Sequence, residues 1–200
     1  ARHPHLELRG LYCHEGHFYG LAPEQAAAAT EQMIDRMDRL RHAIDPQLAL
    51  WPGCSVTARQ IVGRSLGRVQ AVRPGAYVFG DLHLTTVTRA MTAEQVAVTT
   101  LATVVDRPEP GLALIDAGSK SFSSDRTPDS VFGRAADGRD LSVVRVNEEH
   151  GYVRGADVDR LRPGDRVAFV PAHVCPVINL TDTVVVADGN TVLATWSVEG

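Results

Sequence analysis

The feature that most constrains the fold of this chain is a change of hydrophobic pattern near residue 90. Before that point, strand-like apolar runs alternate with stretches of helical periodicity. From residue 96 to residue 200, short runs rich in β-branched residues follow one another, with turn signals between them. The first pattern predicts parallel strands with crossover helices, and the second predicts an antiparallel barrel or sandwich. We therefore expect an α/β domain over residues 1–92, followed by an all-β domain over residues 93–200.

The longest predicted element of the first domain is a helix that begins at Pro23 and continues to about Ile44. Proline suits the first helical turn, and the run Ala26–Ala29 favours continuation of the helix. An apolar stripe at helical spacing is formed by Met33, Ile34, Met37 and Leu40. The other predicted elements of this domain are strands within Leu6–Tyr12, Leu48–Trp51 and Val69–Phe79, and a second helix capped by Ser55 or Thr57. In the second domain, Asp188-Gly189-Asn190 between two valine-rich runs predicts a β-hairpin.

Composition excludes several classes of function. The chain is 44% hydrophobic and 22% charged, which argues against disorder, and its net charge of −4 argues against a nucleic-acid partner. No run of about 18 apolar residues occurs and the N-terminal residues lack a signal-peptide pattern, so we expect neither a membrane span nor a leader. Cys13, Cys54 and Cys175 are odd in number and widely spaced, which favours reduced thiols and a cytoplasmic location.

His173 and Cys175 form the strongest candidate metal site. In an extended chain, residues two apart point to the same side, and the flanking prolines favour an extended backbone here. An imidazole and a thiolate are both good zinc ligands, and two protein ligands leave positions open for substrate or water. The alternative is a buried strand in which the cysteine is only a small apolar side chain.

A second candidate site is the segment Cys13–Gly20, which follows a predicted strand. His14 and Tyr19 would act there as hydrogen-bond donors or general acids, because chemistry in β/α barrels lies at the C-terminal ends of strands. The alternative is a polar surface loop.

A third candidate site is the turn formed by Gly53, Cys54 and Ser55, between a strand and a helix. Backbone N–H groups at a helix N-terminus favour a phosphate, and glycine permits close approach. The alternative is an ordinary capping turn.

Taken together, these segments resemble the C-terminal part of the pyridoxal-phosphate enzymes grouped as D-serine dehydratase and D-threonine aldolase, which have an alanine-racemase-type fold. The resemblance implies that residues 1–92 are the last strands and helices of a (β/α)₈ barrel. It implies that His173 and Cys175 bind the metal, that Gly53, Cys54 and Ser55 meet the cofactor phosphate, and that His14, Tyr19 and Tyr77 line the pocket. The matching segments are Gly10–Tyr19, Arg73–Phe79, Asp116–Lys120, Glu149–Gly151, Pro171–Pro176, Asn179–Leu180 and Trp196.

The resemblance also implies that one residue is absent from this chain. The family's Schiff-base lysine lies on an early barrel strand, whereas Lys120, the only lysine here, matches a position in the β domain. We therefore expect the chain to be a fragment or one piece of a split polypeptide, with the N-terminal remainder of the barrel as its partner. The resemblance further implies a homodimer.

The activity implied for the complete enzyme is a pyridoxal-phosphate- and zinc-dependent β-elimination, in which a D-β-hydroxy amino acid gives a 2-oxo acid and ammonia. Cys175 favours this dehydratase reaction over retro-aldol cleavage of the D-threonine aldolase type, because a thiolate suits zinc better than a harder metal. Two other hypotheses are a non-catalytic metal- or cofactor-binding fragment and a β-domain interaction module without a metal.

Overall fold

The computed structural model describes residues 3–64 and 67–199, which divide into two compact units. The first unit contains residues 3–64, 67–78 and 84–92, and the second contains residues 79–83 and 93–199. The segment 79–83 therefore belongs with the second unit, where the His83 N–H group donates to the Ala172 carbonyl oxygen over 3.2 Å. Ala1 and Arg2, on which the leader prediction partly depends, lie outside the described residues.

Two parallel strands and their crossover helix organise the first unit. Strand β1 (Gly10–Cys13) pairs in parallel with β2 (Ala49–Pro52), and helix α1 (Pro23–Ile44) connects them. Helix α2 (Ser55–Arg64) follows β2 directly. The predicted parallel pair and long helix are thus confirmed.

Short helical turns of 3₁₀ or π type occur in both units. They lie at Gly16–Gly20, Ala76–Val78, His83–Val87, Ala93–Gln95 and Val158–Arg160.

The core of the first unit lies along one face of α1. Met33, Ile34 and Met37 are buried as the apolar stripe predicts, but Leu40 is 53% exposed, so the buried stripe ends one turn early. Leu50 of β2 and Ile61 of α2 are fully buried.

The predicted strand at Val69–Phe79 is wrong. In its place, the Gln70 N–H group donates to the Leu50 carbonyl oxygen over 3.2 Å, and the Gln70 side-chain oxygen accepts from the Leu50 N–H group over 2.7 Å. In a strand, the backbone of Gln70 would make both hydrogen bonds to Leu50, whereas here the Gln70 side chain makes one of them. Pro74 cannot donate to a ladder, and Ala76–Val78 form a 3₁₀ turn.

The second unit contains a closed, six-stranded antiparallel barrel, which confirms the predicted all-β domain. Its strand order is β3-β4-β7-β6-β5-β8. The strands are β3 (Thr100–Glu109), β4 (Leu112–Ile115), β5 (Gly133–Ala135), β6 (Ser142–Val146), β7 (Gly151–Arg154) and β8 (Arg166–Pro171). Two short helices, α3 (Ser119–Phe122) and α4 (Val174–Asn179), accompany the barrel.

Inward-facing side chains from the barrel strands and α3 form the core of the second unit. Phe122 and Phe169 are fully buried and meet edge to face, with ring centroids 6.0 Å apart. Alternate residues of β3, such as Ala102 and Val104, point inward, while Leu101 is 61% exposed.

The predicted hairpin at the C-terminal end is confirmed. Strands β9 (Thr183–Asp188) and β10 (Thr191–Ser197) pair antiparallel as a separate two-stranded sheet. Gly189 adopts the positive φ of 54° that this turn requires.

Within residues 3–64 and 67–199, no helix combines the length and apolarity needed to cross a membrane.

Candidate active site

His173 and Cys175 lie where β8 leads into α4. His173 has an extended backbone with φ −139° and ψ 115°, but Cys175 lies in the first turn of the helix. The prediction that both residues occupy an extended chain is therefore wrong. Pro176 does not prevent the helix, because residues of the first turn need no intrahelical partner for their N–H groups.

The two side chains nevertheless meet. The Cys175 thiol lies within hydrogen-bonding reach of the His173 imidazole, and the Asp125 carboxylate accepts a hydrogen bond from His173 Nδ1 over 2.6 Å. These hydrogen bonds, together with the charges of Cys175 and Asp81, outweigh burial and raise the pKa of His173 to about 9. A metal would therefore displace a proton from this pair. The imidazole and thiolate donors match the chemistry of a zinc site.

Two further groups of the second unit lie beside this pair. Asp81 is fully buried, and its Oδ2 accepts a hydrogen bond from the N–H group of Val174 over 3.0 Å. The His83 ring packs edge to face against the His173 ring, with centroids 6.0 Å apart. Among the described residues, no three His, Cys, Asp or Glu side chains form a group that could hold a metal ion. His173 and Cys175 are the two candidate ligands that the described residues bring together.

In the first unit, His14 links the loops that follow the two parallel strands. His14 Nδ1 lies 2.8 Å from the Gly53 carbonyl oxygen. A carbonyl oxygen can only accept, so the proton is assigned to Nδ1, and the lone pair of a neutral ring then lies on Nε2. Nε2 is therefore the ring atom of His14 that remains for a substrate or another partner.

Cys54 occupies the position immediately before α2, where neither Ser55 nor Thr57 provides the predicted cap. The amides of Val56 and Thr57 face its thiol, and the Tyr19 side chain hydrogen-bonds to it. Burial raises the pKa of the Cys54 thiol, these hydrogen bonds oppose the rise, and the Glu15 charge adds to it. Cys54 is therefore held as a neutral thiol at the helix N-terminus.

Ser55 and Tyr77 are also brought together. The Ser55 hydroxyl oxygen accepts a hydrogen bond from the Tyr77 N–H group over 3.1 Å, while the Tyr77 side chain is 53% exposed. The Ser55 hydroxyl keeps its own proton to donate. This turn therefore carries a hydroxyl donor and first-turn N–H groups, which are the donor types that bind a phosphate group. The N–H groups face the Cys54 thiol, and a phosphate oxygen is a stronger acceptor than a thiol.

Glu15 is a buried carboxylate close to His14 and Cys54. Neither of its oxygens has a hydrogen-bond partner of good geometry within the described chain. Burial raises the pKa of Glu15, while its own N–H group, the charges of His14 and His17, and the Gly53 N–H group oppose the rise. Burial thus makes the charged form of this carboxyl more costly than it is in water.

Sequence reasoning missed three of these residues. Glu15 and Asp81 lie inside or beside recognised motifs, but their burial could not be read from the sequence. Asp125 gave no signal at all, since it is 48 positions away from His173 and reaches it only through the fold.

The sequence of this chain is similar to a family model and to several curated proteins. The family model described as a putative serine dehydratase domain matches residues 97–187. D-threo-3-hydroxyaspartate dehydratase from Delftia sp. is 31% identical over 193 residues, which cover 85% of this chain and 50% of that protein. An uncharacterised protein from Mycobacterium tuberculosis is 38% identical over 109 residues, which cover 52% of this chain and 82% of that protein.

Solved structures of proteins with related names have a similar fold. A cysteine-to-alanine variant of D-threo-3-hydroxyaspartate dehydratase, described as being in the metal-free form, superposes with a TM-score of 0.81 at 26% identity. The match covers 98% of this chain and 57% of that one. The βα region and the closed antiparallel barrel of this chain thus match a little over half of that solved chain.

The chain belongs to the D-serine dehydratase and D-threonine aldolase family. Other curated relatives are named D-threonine aldolase, 3-hydroxy-D-aspartate aldolase and D-serine dehydratase. The chain spans half the length of the Delftia relative.

Proposed function

We propose that this chain is the C-terminal part of a pyridoxal-phosphate- and zinc-dependent lyase that eliminates water from a D-β-hydroxy amino acid. The products would be a 2-oxo acid and ammonia. The observation that carries the proposal is the contact between His173 and Cys175, with Asp125 bonded to the imidazole. The names of the relatives, which are dehydratases and aldolases of D-amino acids, support the same class of reaction.

His173 and Cys175 would hold the zinc ion. When bound, zinc supplies a Lewis acid that polarises the substrate β-hydroxyl and makes it a better leaving group. The donor chemistry supports zinc, because a thiolate paired with an imidazole suits this ion. A cysteine-to-alanine variant of D-threo-3-hydroxyaspartate dehydratase is described as being in the metal-free form, which supports a metal site in this class of enzyme.

Gly53, Cys54, Ser55 and Tyr77 would meet the phosphate of the cofactor. When bound, pyridoxal phosphate supplies an electron sink for the carbanion formed at the substrate α-carbon. The supporting observations are the Ser55 hydroxyl, which still has a proton to donate, and the first-turn amides of α2 that face the Cys54 thiol.

His14 and Tyr19 would handle protons in this enzyme. The Nδ1–H bond to Gly53 holds the His14 ring in place and leaves the Nε2 lone pair for proton transfer. Tyr19 carries its hydroxyl beside Cys54, at the same strand ends.

Lys120 is not the lysine that attaches the cofactor in this proposal. Its ammonium group is exposed and bonds to Glu149, and this hydrogen bond and charge raise the pKa of the amine. A protonated amine is a poor nucleophile. We therefore assign the cofactor lysine to sequence outside these 200 residues.

The test is to express the full reading frame that encodes this chain and to assay it with D-serine, D-threo-3-hydroxyaspartate and D-threonine. A 2-oxo acid and ammonia from the first two substrates are the expected result. Glycine and an aldehyde from D-threonine, without any 2-oxo acid, would replace the dehydratase with an aldolase.

Variants should connect that activity to the proposed metal pair. His173→Ala and Cys175→Ala should each lower zinc content, measured by elemental analysis, together with dehydratase activity. His150→Ala is the matched control, because His150 is an exposed histidine of the same unit. Full zinc content in both site variants would exclude this pair as the metal ligands.

A further inference from the structure

We propose that Asp125 is a positioning residue that sets the orientation and tautomer of His173 for metal binding. This inference rests on the proposed role of His173 and Cys175 as zinc ligands. It concerns a residue of the described chain that lies outside every motif recognised in the sequence.

The first argument is the geometry of the hydrogen bond. Asp125 Oδ2 and His173 Nδ1 are 2.6 Å apart, which is short even for a charge-assisted bond. A carboxylate can only accept, so it holds the proton on Nδ1. When the ring becomes neutral on metal binding, the lone pair is then directed to Nε2. Carboxylate–histidine–metal arrangements use this polarity to fix the ligand tautomer and raise its basicity.

The second argument is the backbone that carries Asp125. Ser123, which follows α3, is buried and has a φ of 64°, a left-handed conformation that is uncommon for serine. Its hydroxyl oxygen accepts a hydrogen bond from the Asp125 N–H group over 3.1 Å. The preceding Phe122 is fully buried in the barrel core. The loop is thus anchored at one end and bonded internally, so Asp125 is placed before any metal arrives.

The third argument is that a second carboxylate fixes the backbone between the two ligands. The fully buried Asp81 accepts the Val174 N–H group over 3.0 Å. Asp81 therefore holds the segment from His173 to Cys175, while Asp125 holds the ring itself. The two carboxylates have separable effects: the loss of Asp125 should leave the backbone of His173 and Cys175 in place but free the imidazole ring to rotate.

The experiment measures zinc affinity directly in the protein expressed from the full reading frame, by competition with a chromophoric chelator after removal of bound metal. Asp125→Asn should weaken zinc binding by about 10–100-fold, the range typical for loss of a group that orients a metal ligand. Asp125→Glu, which keeps a carboxylate, should recover part of the affinity. Asp129→Asn is the control, because Asp129 pairs with Arg134 in the same region and should leave zinc affinity unchanged.

A spectroscopic readout separates positioning from loss of fold. Cobalt(II) bound to the Asp125→Asn chain should keep its thiolate charge-transfer band, because Cys175 remains a ligand, while saturation requires more cobalt. Unchanged zinc affinity in Asp125→Asn, with normal binding to the unsubstituted chain, would refute the role of Asp125 alone. Absence of zinc binding to the unsubstituted chain would refute the metal pair itself.

Discussion

His14 Nδ1 and the Gly53 carbonyl oxygen, 39 positions apart in sequence, lie 2.8 Å from each other. Each residue comes directly after one of the two parallel strands, so the bond joins the C-terminal ends of β1 and β2. In barrel enzymes these ends carry the chemistry, and the bond therefore couples a candidate general base to the candidate phosphate turn.

His14→Ala should destabilise the first unit modestly. The change leaves the buried Gly53 carbonyl without its partner, and a lost hydrogen bond of this kind costs about 1 kcal/mol. Urea denaturation followed by circular dichroism would measure the free energy of unfolding. His5→Ala, at an exposed histidine of the same unit, is the control and should change it by far less. Equal effects of the two substitutions would contradict the assigned bond.

Replacement of Glu15 should stabilise the protein in a pH-dependent manner. The pKa of Glu15 is raised above 4.5, so the native state holds its proton more tightly than the unfolded state does. The stability associated with this group is fully present below the unfolded-state pKa and is lost as the pH rises through the folded-state pKa. Glu15→Gln should therefore gain stability relative to the unsubstituted chain at pH 8 but not at pH 4.

A second Glu15 variant and a control complete that measurement. Glu15→Met removes both unpartnered oxygens and should add about 1–3 kcal/mol at neutral pH, the usual cost of an unsatisfied buried polar group. Glu7→Gln changes an exposed carboxylate and should not reproduce the pH dependence. A Glu15→Gln profile parallel to that of the unsubstituted chain would show that Glu15 is charged at little cost.

Local sequence signals predicted the elements that depend on local chemistry. Helix α1 begins at Pro23 and ends at Ile44 as its periodicity and proline indicate, and the hairpin turns at Gly189. The strand predicted at Val69–Phe79 failed because Pro74 interrupts the run and the Gln70 side chain takes over ladder bonding. The apolar content of the run could not reveal that a side chain, rather than the backbone, would bond to Leu50.

The candidate sites divide in the same way. His173 and Cys175 are close in sequence, so their contact was predictable even though Cys175 lies in a helix. Asp125 was not predictable, because its contact depends on the barrel bringing α3 and α4 together. The burial of Glu15 likewise arises from packing around the strand ends and leaves no trace in the pattern of its neighbours.

Gly155→Ala should be strongly destabilising for two separate reasons. Gly155 has a φ of 143°, and a Cβ atom there would lie 1.9 Å from the Asp140 carbonyl oxygen, a backbone atom that cannot easily move. Strain and steric overlap together should cost about 2–4 kcal/mol in the free energy of unfolding. Gly138→Ala is the matched control, since Gly138 has a φ of 82° but open space around it, and should cost about 1 kcal/mol. Similar losses from both substitutions would mean that the Asp140 backbone yields.

Phe169→Ala should be among the most damaging substitutions in the barrel. Phe169 is fully buried and meets Phe122 edge to face, so truncation loses apolar burial and leaves a cavity that costs about 3–5 kcal/mol. A double-mutant cycle with Phe122→Ala should give a coupling energy of about 0.5–1.5 kcal/mol from the ring contact. Leu101→Ala, on an outward-facing barrel position, should cost far less. Chemical denaturation of the four cycle members and the control measures these values, and additive losses at Phe122 and Phe169 would contradict a direct ring contact.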